Sequence, residues 1–344
     1  MTVGKFAVGC DVGATKVSVS VTGTPGVIDD RIVDMTHRMK RPSDLVSEVS
    51  ANIDRLLERN GLNISGCMGL GVAFAGFVKS AEGVIVASPN LEGWNNTPLG
   101  AMLEERLGIP VLIENDANVG ALGEFRHGGI ADGRDFMYVT LSTGIGAGLI
   151  INGRPYEGAY HVAGELGHTT VMPDGPRCNC GKTGCLETVS SGLAVERIAN
   201  DRLKREETSL RNRAGEREGR VDARIVFEEA RKGDMLSMEI VDNACRYLGL
   251  ALSNAVMLLS VSSVIIGGGM ANEGEYLRKK VEHYMRKHIG KGPNEQTELH
   301  ISAKPTGVVD LGALELAFER HGDRNLAPDR NSLASMQTKP RFKK

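Results

Sequence analysis

Hydrophobic and polar positions alternate in short blocks through the first half of the chain. Apolar runs at Phe6–Cys10, Met68–Ala73 and Val111–Glu114 predict strands, and Val17–Thr22 alternates as a half-buried strand does. Helices are predicted between strands, at Pro42–Asn60, where apolar residues recur with helical spacing, and at Leu99–Leu107. Strands alternating with helices indicate an α/β architecture.

The second half of the chain repeats this arrangement around a similar polar turn. Phe136–Leu141 is a predicted strand, the turn Ser142–Gly148 follows it, and Leu149–Ile151 returns as a strand. In the first half, the turn Asp11–Lys16 lies in the same place between its two strands. The matching strand–turn–strand units predict a duplicated topology.

Glycine clusters mark the ends of several predicted strands. A long helix with one apolar face is predicted at Met235–Leu259, ahead of a buried strand at Val264–Ile266 and the run Gly267-Gly268-Gly269. The 43 glycines of the chain cluster after apolar runs and form no repeat. Such clusters are typical of turns where the backbone approaches a ligand closely.

Composition narrows the class of protein. The length of 344 residues predicts two domains, and 41% hydrophobic with 24% charged residues is typical of soluble globular proteins. The net charge of -2 argues against a nucleic-acid partner, and no apolar run reaches the ~20 residues that span a membrane. Because Met1–Cys10 lacks the pattern of a secretory signal, we expect a cytoplasmic protein.

Two segments are predicted to be peripheral. Asp201–Arg224 is dense in both signs of charge, which predicts a solvated helix or insertion. From His321 the chain loses periodicity and ends in basic residues, so residues 323–344 are expected to be a disordered tail.

A histidine and three closely spaced cysteines form the strongest local signal. Cys178, Cys180 and Cys185 fall within eight residues, and His168 precedes them. One histidine and three cysteines complete a tetrahedral zinc set with no position open for water, so the metal would be structural. In a reducing compartment, this crowding indicates metal ligation before disulfides. Three ordinary buried cysteines are the alternative.

An acidic residue follows a predicted strand in Glu114-Asn115-Asp116. A carboxylate at the C-terminal end of a strand opens into the cleft of an α/β sheet. There it can take a proton from a hydroxyl that attacks phosphorus. A turn or a helix cap is the alternative for an Asn-Asp pair at this position.

These motifs together resemble the ROK family (repressors, open reading frames and kinases) over about residues 5–320. Gly164-Glu165-Leu166-Gly167-His168 and the segment Cys178–Glu187 resemble its zinc motif, whose loop binds sugar hydroxyls through acidic residues. The resemblance implies zinc ligation by His168, Cys178, Cys180 and Cys185. It implies Asp116 as the catalytic base and sugar contacts from Asn90, Asn115, Asp116, Glu165, His168 and Glu187.

The two polar turns resemble the phosphate motifs of the sugar kinase, heat-shock ATPase and actin superfamily. In that superfamily such turns face the phosphates of ATP, an early aspartate lies near magnesium or its waters, and a late glycine run lies against adenine. The residues implied here are Asp11, Gly13, Ala14, Thr15, Thr143, Gly144, Gly268 and Gly269. The spacing does not match a Walker loop, because no Gly-Lys-Ser/Thr follows four residues after a glycine.

The resemblance implies a two-domain actin-like or ribonuclease H-like ATPase fold with a cleft between the domains. Residues 1–117 with about 310–322 would form the small domain, and residues 118–309 the large one with the zinc loop. The implied ligands are ATP, Mg²⁺, structural Zn²⁺ and a hexose, and the implied assembly is a homodimer or homotetramer.

The implied activity is ATP-dependent phosphorylation of a hexose at a primary hydroxyl, with glucose as the first expectation. N-acetylmannosamine kinase is the alternative, and fructose or broad hexose use stays open. A sugar-sensing regulator is not favoured, because such family members carry a DNA-binding winged helix before this region and the first turn here begins at Asp11. A catalytically inactive sugar-binding module is not favoured either, because the carboxylate of Asp116 is present.

Overall fold

Two five-stranded sheets carry the fold in the computed structural model, which describes residues 5–36, 41–88, 93–129, 134–215 and 219–319. The strands are β1 (Phe6–Val12), β2 (Lys16–Thr22), β3 (Asp30–Met35), β4 (Cys67–Phe74), β5 (Phe77–Lys79), β6 (Val84–Ala87), β7 (Val111–Asn115), β8 (Phe136–Leu141), β9 (Ile145–Ile151), β10 (Arg154–Pro155), β11 (Ser263–Gly267) and β12 (Glu298–Ile301). The helices are α1 (Pro42–Asn60), α2 (Leu99–Leu107), α3 (Asp116–His127), α4 (Glu187–Ser190), α5 (Gly192–Leu203), α6 (Leu210–Gly215), α7 (Ala223–Arg231), α8 (Met235–Leu259), α9 (Glu275–His288) and α10 (Val308–Glu319).

The two sheets share one topology. The first has the strand order β3-β2-β1-β4-β7, and the second has the order β10-β9-β8-β11-β12. In both, three antiparallel strands are followed by two further strands that run parallel to the third. The α/β architecture and the duplicated topology predicted from the sequence are therefore confirmed.

Each sheet has its own apolar core. The first packs against α1 and α2, and Leu45, Val49 and Ile53 of α1 are fully buried there, at the spacing that predicted this helix. The second packs against α5, α7 and the long helix α8. Within the described ranges, no helix has the length and hydrophobicity needed to cross a bilayer.

Helices α3 and α10 pack against each other between the sheets. Helix α10 also packs on β1 and β4 of the first sheet, whereas α3 packs on β8 and β9 of the second. The catalytic candidate Asp116 is the first residue of α3, so its position depends on this helix pair.

The second polar turn is shorter than the sequence predicted. Strand β9 begins at Ile145, not at Leu149, so the turn is confined to Ser142–Gly144. Gly148 lies inside the strand, where a Cβ atom would come 2.3 Å from the carbonyl oxygen of Ala117 on α3. Glycine at position 148 therefore allows α3 to pack closely on the sheet. The sequence pattern does not distinguish a glycine with this role from a glycine in a turn.

The two peripheral segments are described only in part. Within Asp201–Arg224, α6 buries Leu210, and its Arg213 pairs with Glu228 and Glu229. Residues 216–218 of that stretch lie outside the described residues, as do residues 323–344 of the expected tail.

Candidate active site

One cavity of about 540 Å³ lies between the two sheets and is lined by both polar turns. Its walls bring together thirteen of the residues that the sequence singled out: Asp11, Gly13, Ala14, Thr15, Asn115, Asp116, Thr143, Gly144, Glu165, His168, Glu187, Gly268 and Gly269. Asn90 lies outside the described residues. The three cysteines stand behind this wall and do not line the cavity.

The first turn joins β1 to β2 and is closed by its own backbone. The N–H of Gly13 donates to the carbonyl oxygen of Lys16 at 2.9 Å, and the hydroxyl of Thr36 donates to the carbonyl oxygen of Gly13 at 2.7 Å. These bonds leave Ala14 and Thr15 at the cavity wall. Successive turn residues of this kind present N–H groups to an anion.

The second turn is in contact with an acidic side chain. The N–H of Ile145 donates to Glu187 Oε2 at 2.8 Å. A Cβ atom at Gly144 would lie 2.4 Å from the same oxygen, so any larger residue here would displace the Glu187 carboxylate from this position. Glu187 therefore contacts the second turn through one carboxylate oxygen and also lines the cavity.

Asp116 stands at the N-terminus of α3, where Asn115 is the N-cap. Asn115 Oδ1 accepts from the N–H groups of Ala117 and Asn118 at 2.9 and 3.3 Å, and its Nδ2 donates to the carbonyl oxygen of Gly76 at 3.0 Å. Asp116 Oδ1 accepts from the N–H of Ala117 at 2.9 Å. The helix-cap alternative is thus correct for Asn115 and does not displace Asp116 from the cavity.

Burial dominates the electrostatics of the acidic wall. It raises the pKa of Asp116 to about 6, with the N–H of Ala117 opposing the rise and the charge of Glu187 adding to it. Burial also raises the pKa of Glu165 to about 7, and the charges of Asp116 and Glu187 contribute. Three carboxyl groups near one another can accept hydrogen bonds from several hydroxyls, and the least solvated of them can accept a proton near neutral pH.

An ion pair near the first turn, between the buried Asp310 and the partly exposed Arg31, was not found from the sequence. Asp310 of α10 accepts from the hydroxyl of Ser18 and pairs with the Arg31 guanidinium at 2.9 Å. All three residues line the cavity beside Asp11. Burial raises the pKa of Asp11, the charges of Asp310 and Asp116 raise it further, and Arg31 opposes them. The available signal was a single carboxylate inside the otherwise apolar run Val308–Leu314.

Glu114 is a second residue whose role the sequence analysis did not identify. Its carboxylate accepts from the hydroxyl of Ser80, the N–H of Asn115 and the side-chain amide of Asn118. It therefore connects the turn that carries Ser80 to the start of α3. A carboxylate at the end of the otherwise apolar run Val111–Glu114 was the only signal that could have drawn attention to it.

The four sequence-predicted metal ligands cluster beside the cavity. The ligand atoms of His168, Cys178, Cys180 and Cys185 all lie within 4.8 Å of one another. Nδ1 of His168 is 3.6 Å from Cys178 Sγ, while Nε2 is 3.8 Å from Glu165 Oε2. One ring nitrogen thus faces the sulfur cluster and the other faces the acidic wall. The group could hold a tetrahedral metal ion.

A second cavity of about 280 Å³ opens beyond the second turn. It shares Ser142, Thr143 and Gly269 with the first cavity and extends to Phe227 and Asp222 of the α7 region. The two cavities therefore provide one path from the acidic wall past the turns to a partly apolar recess.

Two sheets of this shared topology, each contributing a polar turn to the cleft between them, define the actin-like ATPase fold. A sequence model of the ROK family matches residues 7–319, and the chain belongs to the ROK family.

Solved and characterised relatives agree with this assignment. A glucokinase from Halalkalibacterium halodurans is 34% identical over 281 residues, which cover 81% of this chain and 85% of that protein. An N-acetylmannosamine kinase from Escherichia coli is 28% identical, over 80% of this chain and 86% of that protein. The structure of a ROK family glucokinase from Streptomyces griseus in complex with glucose and AMPPNP is similar at a TM-score of 0.81. That structure is 29% identical and covers 92% of this chain and 100% of its own.

Proposed function

We propose that the protein is an ATP-dependent glucokinase that phosphorylates the primary hydroxyl, O6, of glucose. The observation that carries this proposal is the position of Asp116 in one cavity with both polar turns and the acidic residues Glu165 and Glu187. Such a cavity has room for a hexose at one end and phosphates at the other. The substrate and the donor are inferred from the glucokinase relatives.

Asp116 would act as the general base. With a pKa raised to about 6, its carboxylate is ionised at neutral pH and still basic enough to accept the hydroxyl proton as that oxygen attacks the γ-phosphorus. The bond between the γ-phosphorus and its bridging oxygen then breaks, and ADP leaves with that oxygen. The N–H of Ala117 holds one carboxylate oxygen and leaves the other for the hydroxyl.

The sugar would bind between Asp116 and the acidic wall. Glu165 and Glu187 would accept hydrogen bonds from neighbouring hydroxyls, and His168 would donate from the ring nitrogen that faces Glu165. Asn115 would contribute its second amide hydrogen, since the first is bonded to Gly76. Asn90 stays a predicted sugar ligand.

The nucleotide would bind along the two turns. The N–H groups of Ala14, Thr15, Thr143 and Gly144 would face the phosphates, while Gly13, whose own N–H donates to Lys16, would shape the first turn around them. Asp11 would hold magnesium or its waters, and this ion would supply positive charge to the phosphates. Adenine would lie against Gly268 and Gly269, where the second cavity begins.

The cysteine cluster would hold a structural zinc ion through Cys178, Cys180, Cys185 and His168. Burial, together with the neighbouring thiols Cys180 and Cys178, raises the pKa of Cys185 to about 12. A cation is therefore needed before all three sulfurs can be thiolates at neutral pH. Four protein ligands leave no open position, which suits a structural and not a catalytic metal.

N-acetylmannosamine kinase is the second candidate, because a relative of that name is similar over most of both chains.

We also propose that residues 1–117 with about 310–322 close over residues 118–309 around the substrates. A cytoplasmic location and a homodimer or homotetramer complete the proposal.

The test is ADP release from MgATP against glucose, N-acetylmannosamine, mannose and fructose, each measured as kcat/KM. We expect glucose to give the largest value. A larger value for N-acetylmannosamine would support the kinase reaction but make N-acetylmannosamine, and not glucose, the preferred substrate. Absence of sugar-dependent ADP release in folded, zinc-loaded protein would contradict the kinase proposal.

A further inference from the structure

A short hairpin forms part of the cavity wall. We call residues Ala75–Ser88, which contain β5 and β6, the cavity hairpin; its first residues, Ala75, Gly76 and Phe77, line the cavity. The N–H of Ala75 donates to the carbonyl oxygen of Val12 at 3.0 Å, and the hydroxyl of Ser88 donates to the carbonyl oxygen of Ala75 at 2.8 Å. One bond thus connects the base of the hairpin to the end of β1, and the other connects the first and last residues of the hairpin.

Two further bonds fasten the hairpin to the segment that carries Asp116. Asn115 Nδ2 donates to the carbonyl oxygen of Gly76 at 3.0 Å, and the hydroxyl of Ser80 donates to Glu114 Oε2 at 2.6 Å. Ser80 lies in the turn between β5 and β6, so its bond to Glu114 holds the tip of the hairpin. The bond between Asn115 and Gly76 holds the base.

The other oxygen of Glu114 holds the start of α3. Oε1 accepts from the N–H of Asn115 at 2.7 Å and from Asn118 Nδ2 at 3.1 Å. Among the described residues, no cationic side chain pairs with Glu114, although burial of the carboxyl raises its pKa. A buried carboxylate that relies on three neutral donors fixes the relative positions of those donors closely.

We propose that Glu114 is a positioning residue that joins the cavity hairpin to the start of α3 and thereby sets the affinity of the site for the sugar. Glu114 does not line the cavity and acts through Ser80, Asn115 and Asn118. The inference rests on the proposed function, because the hairpin is bonded to Asn115, a proposed sugar ligand, and none of its residues lines the second cavity, where adenine is proposed to bind. Loss of the junction should therefore weaken sugar binding and leave nucleotide binding unchanged.

Three variants separate the parts of this junction. Ser80→Ala removes only the bond to the hairpin tip, and Glu114→Ala removes all three bonds. Glu114→Gln can keep them, because its amide oxygen accepts from Asn115 and Asn118 while its NH₂ group donates to the Ser80 hydroxyl. Ser47→Ala is the matched control, since Ser47 is exposed on α1 and donates only to the carbonyl oxygen of Ser43 in its own helix.

The readouts are the KM for sugar, the KM for MgATP and the sugar Kd from the fluorescence of Trp94. Trp94 is the only tryptophan, and its ring centroid lies 5.0 Å from that of Phe74, at the end of β4 just before the hairpin. Sugar binding can thus be followed without turnover.

Ser80→Ala is expected to raise the sugar KM and Kd about tenfold, the usual effect of one lost hydrogen bond to a charged group, with the KM for MgATP unchanged. Glu114→Ala should have a larger effect of the same kind, and Glu114→Gln should restore most of the affinity. Wild-type sugar affinity in both Ser80→Ala and Glu114→Ala, or an equal rise of both KM values, would overturn the inference. Absence of sugar binding and turnover in the wild type would instead overturn the proposed function.

Discussion

At the scale of single residues, the carboxyl of Asp116 contributes to the way stability depends on pH. Its pKa is about 6 in the folded protein against an ordinary value of 3.8, and burial is the main cause. The ionised form is therefore disfavoured by folding, so Asp116 lowers the free energy of unfolding above pH 6. Protonation relieves this effect as the pH falls from about 6 towards 3.8.

Asp116→Asn is accordingly expected to raise the free energy of unfolding at pH 8 by up to about 3 kcal/mol, because it removes the buried charge. The gain should shrink as the pH falls below about 6 and vanish near pH 4. Urea unfolding of wild type and Asp116→Asn at pH 4, 6 and 8 measures this difference in the free energy of unfolding. Asp54→Asn, on the exposed side of α1, is the control. Equal stability of wild type and Asp116→Asn at pH 8 would contradict the buried position of the carboxyl.

The sequence predicted individual site residues well where a local motif carried them. The two turns, the Asn115-Asp116 pair and the Glu165–Glu187 segment meet in one cavity. Residues that act through distant partners were missed. Ser18 and Asp310 are separated by 292 positions, and Ser80 and Glu114 by 34, so no spacing in the sequence relates them.

At the scale of elements, the loop between His168 and Glu187 has little regular structure. Its isolated β-bridges pair Thr170 with Cys185 and Arg177 with Thr183, and one short helix precedes it. Backbone hydrogen bonds, such as that from the N–H of Cys178 to the carbonyl oxygen of Lys182, close its turns. No helix and only these isolated bridges connect the turns between Thr169 and Leu186, so a bound metal would hold them together through the three cysteines and His168.

Removal of metal is therefore expected to loosen this loop first. After dialysis against a zinc chelator, we expect trypsin to cleave after Arg177 or Lys182, which are both exposed, faster than at other sites. The sugar Kd should rise by about tenfold or more, because Glu165, His168 and Glu187 belong to this segment. Nucleotide binding should persist, and added zinc should restore sugar binding. Unchanged sugar affinity in metal-free protein would contradict the role given to the cluster.

Three helices were predicted with their observed bounds from their apolar period, whereas α7 and α9 were not predicted. Helices α1, α2 and α8 agree residue for residue, and Gly61 and Gly108 end the first two in the left-handed conformation. Helix α3 was missed because Gly120, Ala121 and Gly123 give it no apolar stripe; its small residues serve close packing instead. Strand β3 was missed because its sequence, Asp-Arg-Ile-Val-Asp-Met, does not alternate polar and apolar residues; it lies at the edge of the sheet.

At the scale of the whole molecule, the duplicated strand–turn–strand unit was enough to predict two similar sheets. The sequence could not give the way the sheets are joined, because that depends on packing between α3 and α10, which are remote in the chain. The division into residues 1–117 with 310–322 and residues 118–309 stays a prediction. Closure of these two parts around the substrates would exclude water from the γ-phosphate.

The most direct test of the central claim is ³¹P NMR of the products formed from MgATP and glucose. Wild-type protein is expected to form one phosphomonoester on the primary carbon for each ADP, and Asp116→Asn to form it about 10²- to 10⁴-fold more slowly. Inorganic phosphate in place of a sugar phosphate, or an Asp116→Asn rate equal to that of the wild type, would contradict this claim.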